Sequence, residues 1–569
     1  MARIAGAWGT RDRAGDVITI SAALLLTAWV QRNALSAFFS LDDLFYLEQA
    51  VGLIPTLPSP LRFLSQTLYF RIMASLFGPN PLPYHFMTYV THLTNVALFF
   101  SLLRLWTLPR TTAGLAAALF GTMPLSLTML SSAIGMNDEL AMCLTLISLI
   151  AVRVTGAYPT VIASAAFTLA LFCKESVIFL SMLAVVMRAS GQTLRSGLRR
   201  ALPLLVISLV VGMLFFILRH YGLAPDSRAY AMRPGMNVFH NLTTYISWVT
   251  NLVHPMPDLV SSYHTSAWPW ALVVTLALGL VWRFLPEARL GIGLGAAWWL
   301  LGLLPVLPLR FQTFRHYLYP ALPGMALAVA AALTGLVEWA SERWTRSRAH
   351  GATPRAVVTI ALAACSVAYA GRADRLISTR LHARLPGVDL SPDPVIRRRE
   401  VAGRALSSIA RSLDADTRLV ALFAPSGTER VFGARSGREY RSIPTRRKAY
   451  DLLAESLDQG QAIRLFFPQV DSVAFISSWS PRYRDYDLFM RYENGDLLGV
   501  GRGPRAHEQA AEWMLRQGWT VQTARHLEEV AAAYPTDERL RLLHVRALQA
   551  IVDTTGTARE RSGPLQAER

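Results

Sequence analysis

Apolar residues in this chain gather into long blocks instead of the alternating or 3.6-spaced patterns of a soluble core. A helix needs about 20 mostly apolar residues to cross a bilayer. Blocks of that order recur at residues 17–37, 82–103, 112–130, 138–152, 157–173, 175–188, 201–219, 268–284, 290–309, 317–339 and 355–371. The pattern predicts an α-helical polytopic membrane domain of about eleven spans over residues 1–371. Residues 61–77 read differently: Leu61, Leu64, Leu68, Ile72 and Leu76 form a stripe, with Arg62, Ser65, Gln66 and Arg71 off it. That is the pattern of a helix lying in the outer interface. The connection over residues 220–267 is long and aromatic, with Tyr221, Tyr230, His240, Trp248, His254 and His264, and reads as an ordered loop.

From residue 372 onward the pattern becomes polar. Residues 417–423 and 471–476 have strand character, and residues 449–457 between them have helical spacing. Residues 372–505 are therefore expected to hold a soluble α/β module. Residues 506–517, 521–534 and 538–551 then read as antiparallel helices, a degenerate tetratricopeptide-like segment over 506–569 whose simplest role is a small helical cap.

Charge orients the spans. Arg11 and Arg13 precede the first block, and Arg104, Arg110, Arg153, Arg195, Arg283, Arg289 and Arg343 fall at alternate connections. The opposite connections hold Asp42, Asp43, Glu48, Asp138, Glu139, Glu175, Asp226 and Asp258. The positive-inside rule then places the N-terminus in the cytoplasm, and an odd span count places the C-terminal region outside, periplasmic in a bacterial inner membrane. No small-residue cleavage site follows the first block, so it reads as a span and not as a signal peptide. The net charge of +18 belongs to this topology and to anionic lipid. No basic run with interleaved aromatics suggests nucleic acid. Cys143, Cys173 and Cys365 all lie in apolar blocks, which excludes a disulfide framework in the soluble region.

Ionisable groups at membrane depth are expensive and are functional candidates by default. Asp42 and Asp43 stand side by side after the first block. Their repulsion favours the protonated form of one of them, which suits a general base for a hydroxyl. Pairing with Arg62 or Arg71 is the structural alternative. Lys174 lies within an apolar stretch and is one of two lysines among 56 basic residues, which singles out a compact ammonium. A pair with Glu175 or another carboxylate is its structural alternative. Asp138 and Glu139 open the fourth block, and Arg315, His316, Tyr317 and Tyr319 precede the tenth. His85 and His92, about two turns apart, are roughly 10 Å distant along one helix face and suit interhelical hydrogen bonds better than a shared metal.

The order of these landmarks resembles a family. Asp42-Asp43 is followed by Leu76-Phe77-Gly78, His85 and His92, Ala118-Leu119-Phe120 with Pro124, Gly135-Met-Asn-Asp138-Glu-Leu-Ala141, Lys174-Glu175, and Arg315-His-Tyr-Leu-Tyr-Pro320 with Gly324. Over roughly residues 15–340 this is similar to the GT-C superfamily of polytopic glycosyltransferases. Within it, the chain resembles bacterial relatives of the transmembrane, tetratricopeptide-containing O-mannosyltransferases. Ser59-Pro60 stands where the family has Arg-Pro, and Thr88 where it has asparagine. The resemblance implies inverting transfer of a sugar from a polyprenyl-phosphate donor to a glycan, lipid or protein hydroxyl on the outer face. It implies Asp42 or Asp43 as the base and Asp138 or Glu139 as orienting groups. Lys174, Arg315, His316, Tyr317 and Tyr319 would receive the donor phosphate. Mg²⁺ or Mn²⁺ could sit among Asp42, Asp43 and Asp138, although cations of the chain alone could answer the phosphate. A polysaccharide ligase or polymerase, and a non-enzymatic lipid or solute transporter, are the competing classes.

Overall fold

The computed structural model describes residues 10–561 except 57–59, 154–156, 187–193, 222–231, 233, 253–266, 311–312, 347–353, 386–388, 424–448, 477–485, 494–495, 502 and 517. The chain forms two compact units. The first comprises Met1–Ala37 and Gln49–His382, and the second Phe38–Glu48 and Ala383–Arg569.

The first unit is helical, and among the described residues six helices are long and apolar enough to cross a membrane: Arg13–Ser36, Pro81–Leu105, Ala133–Val152, Gly197–Leu218, Leu322–Arg343 and Ala356–His382. The number rises to eight if two bent pairs each form one span. Arg110–Gly121 and Pro124–Leu130 meet at 41°, and Trp268–Phe284 and Pro286–Leu303 at 114°. A proline follows each break, and proline can start a helix but cannot continue one. Ala157–Cys173 and Glu175–Val186 are shorter apolar helices. The eleven apolar blocks thus become six to eight candidate spans, because length per block was the weakest part of the sequence pattern. Large apolar side chains such as Ile18, Leu25, Phe216 and Ile360 stay exposed along these helices, as lipid-facing positions must.

The stripe at residues 61–77 becomes a π-helical turn, Phe63–Leu68, that continues into the α-helix Tyr69–Phe77. The long connection expected as a loop contains the helix Met236–Thr250, and Tyr230, His254 and His264 lie outside the described residues. The last helix of the unit, Pro354–His382, overruns the expected boundary at 371. The core of the unit gathers Phe99, Phe120, Trp298 and Tyr319, and the Trp298 indole donates to Pro320 O at 3.0 Å. Small residues let the helices Arg289–Leu303 and Leu322–Arg346 cross closely: a Cβ on Gly295 would sit 2.6 Å from the Gly324 carbonyl oxygen.

The second unit has a four-stranded sheet, β1 (Leu419–Phe423), β2 (Ser472–Ile476), β3 (Leu488–Glu493) and β4 (Asp496–Gly501). The order is β2-β1-β3-β4, with β1 parallel to β2 and β3, and β4 antiparallel to β3. Helix Pro394–Ser412 is capped by Asp393, which accepts from Val395 N and Ile396 N. Three helices follow, Gly503–Arg516, Thr520–Ala533 and Glu538–Arg561, sharing a core of Ala511, Leu527, Val530, Leu540 and Leu543. The strands and helices expected from residue 417 onward are therefore present, with β3 and β4 added.

The glycine crossing gives a direct test. Gly295→Val is expected to overpack the helix pair by about 1–3 kcal/mol, lowering the melting temperature of the detergent-solubilised protein. Gly293→Val, whose Cβ meets nothing within 4 Å, should leave it unchanged. Equal effects at both positions would refute the close crossing.

Candidate active site

The apolar run from residue 157 to 186 breaks at Lys174, whose backbone is extended (φ −161°, ψ 129°) between the helices Ala157–Cys173 and Glu175–Val186. A break at this depth frees carbonyls that lipid cannot satisfy. Ser65 on the π-helical turn supplies one donor, its hydroxyl reaching Cys173 O at 2.7 Å. An extended residue also sends successive side chains to opposite sides, so Lys174 and Glu175 take different partners. Lys174 Nζ meets Asp138 Oδ2 at 2.5 Å, and both residues are buried. Glu175 is held by both arms of Arg62, with Nε donating to Oε2 at 3.0 Å and Nη2 donating to Oε1. Arg62 itself occupies the left-handed region (φ 60°), a conformation non-glycine residues rarely adopt and which clusters at functional sites.

Arg315-His316-Tyr317 joins this group. Lys174 Nζ stands 5.9 Å from the centre of the Tyr317 ring. Burial, and then the charges of Lys174, Arg62 and Arg315, hold the His316 imidazole well below its ordinary pKa. His316 is therefore neutral, able to donate one hydrogen bond but not to add a positive charge. The positive charges that act on His316 are those of Lys174, Arg62 and Arg315. Arg62 was not among the expected site residues; a polar residue off an apolar stripe was its only signal.

Tyr319 and His92 are engaged elsewhere. His92 Nε2 lies 3.1 Å from Gly121 O, which can only accept, so Nε2 carries the proton. Nδ1 then accepts from Tyr319 Oη at 2.8 Å, and Asn95 Nδ2 donates to the same Oη at 3.0 Å. In this buried network Tyr319, expected to meet phosphate, has its hydroxyl on His92 and Asn95, and the contacts of His92 agree with its interhelical reading. Glu139 is wholly buried on the same helix as Asp138, and neither of its carboxylate oxygens has a hydrogen-bond partner among the described residues.

Asp42 and Asp43 belong to the second unit. They lie in the first turn of helix Leu41–Ala50, where the unsatisfied amides of a helix N-terminus favour negative charge. Ser40 and Asp43 form a capping box: Asp43 N donates to Ser40 Oγ at 3.4 Å, and Ser40 N to Asp43 Oδ2 at 2.7 Å. Asp43 is buried and Asp42 is exposed. The packing around Asp42, then Asp43, push its carboxyl above the ordinary carboxylate range, against the opposing pull of Arg398 and Arg399. Arg62 holds Glu175, and Arg71 reaches Thr56. Farther along the helix, burial and then the nearby Asp458 carboxylate raise Glu48 to about 9.

Among the described residues no three His, Cys, Asp or Glu groups converge as a metal site. Asp138 and the Asp42-Asp43 pair belong to different units, and Asp138 Oδ2 is already occupied by Lys174.

Fold and site together define a helical membrane protein with a small α/β and helical unit, a group of cations around the buried Lys174, and a capped acidic helix. Neither a protein-family model nor a curated protein matches the chain.

Removing one partner of a buried ion pair strands the other charge and costs about 3–5 kcal/mol. Lys174→Met or Asp138→Asn alone should destabilise the protein on that scale, while the double variant should lose less than the sum, read by denaturant unfolding in detergent. Strict additivity would refute the pair. Glu48 keeps its proton in the folded state up to about pH 9 but loses it near 4.5 when unfolded. Stability should therefore fall as pH rises across that window. Glu48→Gln should flatten the fall, raising the melting temperature at pH 8 by a few degrees and changing little at pH 4; a variant that follows the wild-type profile would contradict this.

Proposed function

We propose that the protein is a polytopic glycosyltransferase of the GT-C type, moving a sugar from a polyprenyl-phosphate donor to an acceptor hydroxyl with inversion. The observation that carries this reading is the buried Lys174 on Asp138, 5.9 Å from the centre of the Tyr317 ring, with Arg62 on Glu175 at the same helix break and Arg315 on the Tyr317 turn. Against Asp138 and Glu175 this set leaves a net charge of about +1, which suits a phosphodiester monoanion. Asp42 supports the other half of the reaction. It takes the proton of the acceptor hydroxyl while the acceptor oxygen attacks the anomeric carbon. The bond from that carbon to the phosphate oxygen breaks, and the lipid phosphate departs with the electron pair. The leaving group is anionic and needs cations instead of a general acid.

Connectivity supports the orientation expected from charge. Residues 38–48 follow the first candidate span and residues 383–569 follow the last, yet they fold as one unit. In this reading that unit lies on one side of the bilayer, which requires an odd total such as seven, with one bent pair counted as a span. With basic residues ahead of the first span on the cytoplasmic side, that unit is periplasmic in a bacterial inner membrane. A transporter is the second reading, favoured by the bent helix pairs and the buried Glu139.

Purified protein in lipid nanodiscs, given polyprenyl-phosphate sugars and a panel of hydroxyl acceptors, should form a glycosidic product. Asp42→Asn should lower kcat by about 100-fold or more, whereas Asp43→Asn should act mainly through stability. The acid limb of the wild-type pH profile should lie above the ordinary carboxylate range, since Asp42 works only when deprotonated and its pKa is raised. Full activity in Asp42→Asn removes the base assignment. Solute or lipid movement without a glycosidic product would favour the transporter.

A further inference from the structure

Phe314 stands at the head of the Arg315 turn and is 44% exposed, whereas Tyr317 and Leu318 on the same turn are buried. The chain leading to it is clamped within the membrane unit. Asn241 Nδ2 donates to Leu307 O at 2.8 Å and to Leu309 O at 2.9 Å, and Thr313 Oγ1 donates to Asn241 Oδ1 at 2.7 Å. On its other side Tyr317 N donates to Phe314 O at 3.2 Å, which starts the 3₁₀ turn. The Phe314 ring then stacks on the His316 imidazole, with centres 5.3 Å apart and planes at 20°, and meets the Tyr317 ring at 5.8 Å. Tyr317 is also the ring that Lys174 Nζ faces, at 5.9 Å from its centre. An exposed aromatic ring is thus backed and held at most two such spacings from the buried ammonium. The large apolar side chains exposed along the candidate spans stand on helices, but Phe314 stands in extended backbone (φ −118°, ψ 147°) before a polar turn.

We propose that Phe314 is the platform on which the sugar of the lipid-phosphate donor stacks, a pyranose that presents one face of C–H bonds to the ring. The inference rests on the reading of Lys174, Arg62 and Arg315 as the receptor for the donor phosphate. The face of an aromatic ring is negative, so it attracts the weakly positive C–H bonds of a sugar and leaves the hydroxyls at the rim. That rim is polar here, since Thr313, Arg315 and His316 flank the ring in the chain. An isoprene unit would need an apolar groove instead. The separation also fits: a phosphate met by Lys174 and a sugar stacked on Phe314 are joined through a single oxygen, and the two side chains are spaced for that pair of groups. A sugar held at both ends presents its anomeric carbon in one orientation, which in-line attack with inversion requires. Phe314 binds and orients, and takes no part in proton transfer.

The test measures binding to the full-length protein in nanodiscs with two kinds of probe. One is a set of polyprenyl-phosphate hexoses and pentoses, from which the sugar that wild type binds most tightly is kept. The other is bare polyprenyl phosphate of the same chain length. Phe314→Ala should weaken the sugar-bearing probe by about three- to tenfold, the worth of one aromatic stack, and leave the bare phosphate unchanged. Phe314→Trp should bind as wild type does, whereas Phe314→Leu, apolar but without a π face, should lose as much as Phe314→Ala. If Phe314→Ala does not fold, the Leu and Trp variants carry the comparison. Equal losses for both probes would put lipid or phosphate on the ring and overturn the inference. Wild-type affinity in Phe314→Ala or in Phe314→Leu would also overturn it, because a ring that only touches bilayer lipid gives that result. In those cases wild type still binds the sugar-bearing probe, and the glycosyltransferase reading stands. Wild type that binds neither probe would instead remove the phosphate receptor, and the sugar platform with it.

Discussion

The buried pair between Lys174 and Asp138 is the constraint on which the membrane unit depends. A lysine in an apolar run must either reach water or find a counter-charge, and this one is buried with Asp138 at 2.5 Å. Meeting Asp138 requires the extended backbone at Lys174, which splits the run into two short helices. The split exposes the Cys173 carbonyl, which brings Ser65 and with it the π-helical turn. Arg62 at the head of that turn then reaches Glu175, the next residue past the break. Each step answers an unsatisfied group left by the one before it, and the result is a chain of paired charges at a helix break.

Such an arrangement is poorly explained as a device for stability. Buried ion pairs often give less than well-packed apolar residues of the same volume, and Arg62 adds a left-handed backbone. Two pairs, one strained residue and a broken helix make sense where a receptor for an anion is worth more than a continuous span. The neutral His316 fits the same logic: surrounded by three cations, it remains available as a directional donor beside them.

Much of this was legible in the chain and some was not. The acid pair, Lys174 and the Arg315-His316-Tyr317 run announced themselves as charge in apolar surroundings, and the strands at 419–423 and 472–476 followed from β-branched and apolar runs. Partner identity was hidden. Lys174 beside Glu175 invites the reading of an internal pair, and only the extended backbone between two helices separates their partners. Tyr319 looked like its neighbour Tyr317, yet it faces His92 and Asn95, a distinction of helical phase that a short 3₁₀ turn leaves open in sequence. The β3–β4 hairpin did carry a signal, since Asn494-Gly495 between two apolar strands is a strong two-residue turn dipeptide. The span count suffered because helices broken near proline or lysine read as the same apolar blocks as continuous ones.

The two aspartates after the first span show how adjacent, identical residues come to differ. Position along a helix decides it: the third residue of the first turn can reach back to the cap, and the second cannot. Asp43 is at that third position and is used by Ser40; Asp42 points away from it and stays exposed. Their repulsion is offset by the helix N-terminus and by the charges of Arg398 and Arg399. The packing around Asp42, and then that repulsion, keep its proton affinity above that of a free carboxylate. A base needs that residual affinity, because a carboxylate neutralised by a direct ion pair would have little left for a hydroxyl proton. Capping of one aspartate and partial screening of the other are therefore one arrangement, and the C-terminal unit supplies its second half.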